Sequence, residues 1–157
     1  MSMVEPGSPP KLLVIGYGNT LRSDDGVGPR VAEAIDSLHL PRVRALICGL
    51  LTPELADPIA RSREVIFVDA SLDASDEVQL RPLAPADSSQ ILAHAADPRT
   101  LLALARDVFG HAPKAWWLTI PIENLSIGEE LSPKAQRGLA KAIEQLQQIS
   151  RSTLTID

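Results

Sequence analysis

Short uninterrupted apolar runs alternate along this chain with stretches in which apolar residues return every three or four positions. Leu12 to Tyr17 (LLVIGY) is the first run. Apolar residues at successive positions over so short a length mark a strand covered on both faces. Val43 to Cys48 (VRALIC) and Val65 to Val68 (VIFV) read as the second and third strands, the third ending on Asp69. Ala115 to Ile120 (AWWLTI) reads as the last. Val78 to Leu83 alternates instead, which predicts a strand with one solvated face or one at a sheet edge.

Between these runs the period changes. Val27, Val31, Ala34, Ile35 and Leu38 fall near helical spacing, with Pro29 in the first turn. Thr52-Pro53-Glu54 combines an N-cap, a first-turn proline and a first-turn acid, and opens a short helix to about Ala60. Asp97-Pro98 starts another, through Leu101, Leu104, Ala105 and Val108 to Gly110, a usual helix stop. Ser132-Pro133 starts the last, with Ala135, Leu139, Ile143, Leu146 and Ile149 on one stripe. Strands alternating with helices predict the α/β class: a three-layer α/β/α sandwich around a twisted, mostly parallel five-stranded sheet. Such sheets build their sites beyond the carboxyl ends of the strands, where strand order reverses. That directs attention to the loops after Tyr17, Val68 and Ile120.

Composition narrows the chemistry. At 157 residues the prior is one domain, expected over 11–157 behind a disordered leader at 1–10. The leader (MSMVEPGSPP) has no apolar run, and no run elsewhere nears the ~20 residues of a membrane span. A cytoplasmic location is the default. A net charge of −5 disfavours nucleic acid and anionic membrane as partners. A single cysteine, Cys48, excludes an intrachain disulfide and an all-cysteine metal site. It reads as a small buried apolar residue. Chemistry is left to carboxylates and to three histidines, His39, His94 and His111. Trp116 and Trp117 should point to opposite faces of the last strand.

The loop after the first strand reads Gly16-Tyr17-Gly18-Asn19-Thr20-Leu21-Arg22-Ser23-Asp24-Asp25-Gly26-Val27-Gly28. It imitates a dinucleotide fingerprint, but Leu21 stands where the third glycine belongs. Asp24 and Asp25 fill the helix mouth where a phosphate would sit. One reading makes Asp24 the cap of the following helix and Asp25 its first-turn dipole partner. The other makes the pair functional, since the flanking glycines imply close backbone approach and unusual dihedrals. Asp69, after four apolar strand residues, is either a turn former or a site residue. By the switch-point rule Asp25 and Asp69 can share one edge of the sheet, as a hard-ligand cation site or an acid–base pair. One added imidazole would suit a first-row transition metal. His94, just before the Asp97-Pro98 helix start, is the candidate, against a surface or capping role. His39 and His111 read as helix C-terminal cations. Asn19 is either an oxyanion donor or a support of its own loop.

Gly16 to Leu21 followed by Asp24-Asp25-Gly26-Val27-Gly28 closely resembles the opening motif of the hydrogenase maturation endopeptidases, which trim the C-terminal extension from the large subunit of nickel–iron hydrogenases. The similarity continues in order through Thr52-Pro53-Glu54-Leu55, Val68-Asp69-Ala70, Leu118-Thr119-Ile120-Pro121-Ile122-Glu123, Gly128 and Leu131-Ser132-Pro133. It runs from Lys11 to about Ile149. The resemblance implies a metal-binding trio of Asp25, Asp69 and His94, with Asp25 and Asp69 as the catalytic candidates. It implies that the metal is nickel already loaded into the precursor, which directs cleavage. Which carboxylate acts as general base stays open, because one locked onto a metal is a poor base.

Rival readings use the same residues. A receiver-like phospho-acceptor domain also pairs acids with a strand-end aspartate, but its acidic pair directly follows the first strand. It also wants a lysine where this chain has Pro121-Ile122-Glu123. A non-catalytic nickel-site chaperone would use the same ligands without cutting. A generic metal-dependent amidohydrolase is the third.

Overall fold

The most apolar run forms β1 (Leu12–Tyr17), and the sheet is built outward from it. Leu12, Leu13, Val14 and Ile15 are fully buried, as a strand with no polar face demands. The computed structural model describes residues 9–72, 75–87 and 97–155. Following β1 come α1 (Val27–Ser37), β2 (Val43–Cys48), α2 (Ala56–Ala60), β3 (Glu64–Ser71), β4 (Gln79–Leu83), α3 (Pro98–Phe109), β5 (Lys114–Pro121) and α4 (Pro133–Thr155). The strands lie in the order β2-β1-β3-β5-β4. All pairings are parallel except that of β4 with β5. The alternating run at Val78–Leu83 is therefore an edge strand, and Pro82 is tolerated there.

Each face of the sheet has its own core. Val14, Ile66, Val68, Leu118 and Ile120 pack with Val27, Val31 and Ile35 of α1 and with Ala135, Ala142 and Leu146 of α4. Leu13, Ile15, Val65, Phe67 and Ala115 pack with Ile59 of α2 and with Leu101, Leu102 and Ala105 of α3. Trp116 joins the first core and Trp117 the second, on opposite faces of β5 as the strand period requires. This is the three-layer arrangement that the sequence pattern predicts.

The starts of α3 and α4 follow the local chemistry, and that of α2 does not. Asp97 caps α3 by accepting the Arg99 N–H at 2.7 Å, and Gly110 closes that helix in the left-handed region at φ 83°. Ser132 caps α4 through the Ala135 N–H, 3.1 Å from its Oγ. Thr52 makes no side-chain cap, and Pro53–Leu55 forms a 3-10 turn before α2 begins. The third strand also runs past its expected end. Asp69 is inside β3 and paired with Thr119, because β5 extends to Pro121 and offers Ser71 a partner. Cys48 is half-buried at the end of β2, and desolvation raises its thiol pKa.

Strand order reverses between β1 and β3, which receive the chain from opposite directions. There α1 crosses the sheet at very close range. A Cβ on Gly28 would stand 2.6 Å from the carbonyl oxygens of both Tyr17 and Val68, so only glycine lets the helix start over this gap.

Candidate functional site

The loop leaving β1 is a 3-10 turn, Ser23–Gly26, and its two acids face different ways. Asp24 is completely buried. Its Oδ1 accepts the Ser132 N–H at 2.7 Å. Its Oδ2 accepts the Ser132 hydroxyl at 2.7 Å and the N–H groups of Glu123 and Asn124, each at 3.0 Å. Burial works against the charge, but these donors outweigh it and hold the Asp24 carboxyl below the usual carboxylate range. The expectation that Asp24 caps the following helix fails: neither the 3-10 turn nor α1 has a side-chain cap. Asp24 ties the first loop to the segment between β5 and α4. Ser23 strengthens the tie, bonding Ser126 O through its hydroxyl at 2.8 Å and Gly128 O through its N–H at 2.7 Å.

Asp25 is half-exposed at the rim, and its Oδ2 accepts the Asn19 N–H at 2.8 Å. Asn19 Oδ1 accepts the Leu21 N–H at 2.9 Å, so this side chain supports its own loop. Gly18 makes the loop possible: at φ 144° its missing Cβ leaves room for the Asp25 carbonyl.

Asp69 reaches the same rim from β3. Burial pushes its carboxyl up to about 6, with hydrogen bonds from Tyr17 and Ala70 opposing and the Asp25 charge adding to the rise. The structure thus brings Asp25 and Asp69 within electrostatic reach across the gap between β1 and β3, as the switch-point rule predicts. A carboxyl near 6 can exchange a proton near neutral pH, and two carboxylates converging on one rim also suit a cation.

The sequence pattern missed Tyr17. Its hydroxyl donates to Asp69 Oδ2 at 2.9 Å. Burial, together with the Asp69 charge, raises the phenol far above its usual range, so it stays a donor. The signal available was its position, the last residue of β1, directly after Gly16, which pairs with Val68, the residue before Asp69.

His94 lies outside the described residues. Asp97, the α3 cap, is near enough to Tyr17 for its charge to act on the phenol. His39 and His111 sit in the connections entering β2 and β5, at the opposite edge of the sheet from Asp25 and Asp69. Among the described residues, no three His, Cys, Asp or Glu side chains come together in a metal-binding group. A third protein ligand for the Asp25–Asp69 pair would have to come from outside them.

Fold and site together define an α/β protein with two carboxylates, Asp25 and Asp69, near its switch point. The hydrogenase maturating endopeptidase HybD from E. coli has the same fold: TM-score 0.70, 23% identity, 91% of this chain and 93% of that chain covered. The [NiFe] hydrogenase maturation protease HycI from Thermococcus kodakarensis KOD1 also has TM-score 0.70, at 22% identity, over 93% of this chain and 95% of its own. An uncharacterized protein from Wolinella succinogenes aligns at TM-score 0.63 and 24% identity, over 91% of this chain and 98% of that one. No protein-family model and no curated protein matches the chain.

Proposed function

We propose that this chain is an endopeptidase that removes the C-terminal extension of a nickel–iron hydrogenase large-subunit precursor after nickel insertion. The observation that carries the reading is that Asp25 and Asp69 lie within electrostatic reach at the switch point, on the fold of proteins named as hydrogenase maturation proteases. The surroundings support a macromolecular substrate. Leu50, Leu21, Leu72 and Ile127 follow the carboxyl ends of β2, β1, β3 and β5 respectively, and all four are exposed. Large aliphatic side chains left in water along one rim are characteristic of a protein-binding surface.

In this reading Asp25 and Asp69 meet the precursor's nickel, with His94 as the third ligand by resemblance. A carboxylate–imidazole set suits that ion. Nickel held beside the scissile bond polarises its carbonyl or acidifies a water. As water adds to the carbonyl and the C–N bond breaks, whichever of the two carboxylates is free of the ion takes the water's proton and returns it to the leaving amine. The setting is cytoplasmic, which the half-buried single cysteine and the lack of a membrane-spanning helix among the described residues accommodate.

The test is incubation with nickel-loaded and nickel-free precursor, followed by intact mass measurement. Loss of a C-terminal fragment from the loaded form alone is expected. Cleavage of neither form sinks the protease reading, and equal cleavage of both sinks nickel recognition. Binding of the loaded form without cleavage assigns the chain to the chaperone class instead.

A further inference from the structure

We infer that Tyr17 is a positioning residue for Asp69, fixing the carboxylate in the orientation that receives the precursor's nickel. The inference rests on the reading that Asp69 meets that ion. The hydroxyl of Tyr17 donates to Asp69 Oδ2 at 2.9 Å across 52 positions of sequence. It joins the last residue of β1 to β3 at the point where strand order reverses. Among the described residues it is the one side chain shown bonding Asp69. One oxygen is thereby held, while a carboxylate offers about four lone-pair sites, so acceptor capacity remains for a cation.

The ring is placed to do this with little freedom. Tyr17 packs against the core between the sheet and α2 and α3, beside Leu46, Cys48 and Trp117. The Trp117 Nε1 group is buried without a hydrogen-bond partner, close enough to Tyr17 to favour charge on the phenol oxygen. Packing alone would be served as well by phenylalanine. What the hydroxyl adds is a fixed direction for a carboxylate that burial would otherwise leave without a side-chain donor. Hydrogen-bond partners of metal-binding carboxylates typically contribute about 10–100-fold to affinity or activity.

The experiment compares Tyr17→Phe, Asp69→Asn and Leu46→Ala with the unaltered full-length chain. Leu46→Ala loosens the same core without touching the Tyr17–Asp69 bond. Binding of nickel-loaded and nickel-free precursor is titrated for each, and kcat and KM of processing are measured separately. Tyr17→Phe is expected to weaken binding of the loaded form about 10–100-fold, to leave binding of the nickel-free form unchanged, and to raise KM more than it lowers kcat. Leu46→Ala is expected to leave the preference for the loaded form intact. Equal weakening of both forms by Tyr17→Phe assigns the hydroxyl a structural role and overturns the proposal. If Asp69→Asn erases the preference while Tyr17→Phe keeps it within about twofold of the unaltered chain, the proposal alone fails. If Asp69→Asn keeps the preference, or the unaltered chain has none, the nickel reading of the site fails and takes the proposal with it.

Discussion

The carboxylate of Asp24 and the backbone N–H of Ser132 meet at 2.7 Å although 108 positions separate them. Asp25, the next residue, makes its bond to Asn19 within its own loop and turns toward Asp69. Adjacent acids thus divide the work, one holding the loop and the other facing the rim.

That division predicts opposite phenotypes. Asp24→Asn puts an amide among four donors and should lower the unfolding free energy by about 2–4 kcal/mol. Asp25→Asn loses charge at a half-exposed position and should cost under about 1 kcal/mol while abolishing processing. Urea denaturation of both variants, read beside precursor cleavage, checks this. Equal destabilisation would mean that Asp24 is not the residue anchoring the loop.

Asp69 should make the protein less stable as it ionises. Its carboxyl rises from 3.8 to about 6 on folding, so across that window the folded state binds more protons than the unfolded. Stability contributed by this group is full below the lower value and lost as pH climbs through the upper one. Asp69→Asn should therefore stabilise the chain at pH 7, by up to about 3 kcal/mol, and should do nothing at pH 3. Asp24 acts with the opposite sign: its lowered pKa contributes stability that is present above 3.8 and disappears as pH falls through the folded value. The difference in unfolding free energy between the unaltered chain and Asp69→Asn, followed with pH, isolates the first effect.

Gly28 should tolerate no side chain. Alanine there drives its Cβ onto two backbone carbonyls at 2.6 Å, neither of which can rotate away. We expect a loss of about 2–3 kcal/mol in stability and a fall in processing as α1 lifts from the rim. Gly49→Ala, with nothing within 4 Å of its Cβ, is the control and should change little. Thermal melts of the two variants give the comparison.

The aliphatic rim should matter for substrate capture alone. Ile127 is 95% exposed and Leu21 60%, so a charge at either position disturbs no core. Ile127→Glu and Leu21→Glu should each raise KM for precursor about tenfold, as loss of ~1.4 kcal/mol of binding requires. Melting temperature and kcat should hold. A KM unchanged in both variants would place the precursor elsewhere on the surface.

Much of this architecture could be read from the chain because its cause is local. Burial on both faces writes itself as LLVIGY and VIFV, and a cap followed by proline writes itself as Asp97-Pro98 or Ser132-Pro133. The Asp25–Asp69 juxtaposition followed from topology: in a parallel sheet the loops at the reversal of strand order must meet. What escaped was whatever depends on partners far along the chain. Asp24 looks like a cap for its neighbour, and nothing nearby reveals that its donors lie beyond β5. Tyr17 in an apolar run reads as core, and only the register with β3 gives its hydroxyl a purpose. β3 outruns its apolar stretch because β5 does, a property of the pair and not of either sequence.

The Asp24 contact also sets an order of events during biosynthesis. Its donors are Glu123, Asn124 and Ser132, so the loop carrying Asp25 lacks this anchor until β5 and the start of α4 have left the ribosome. Closing a span of that length costs chain entropy that only the nearly finished fold recovers. A nascent chain halted before residue 132 would hold both rim carboxylates and β1 to β5 yet lack the two Ser132 donors of Asp24. The rim that carries Asp25 therefore takes its final shape only with the link between β5 and α4 in place.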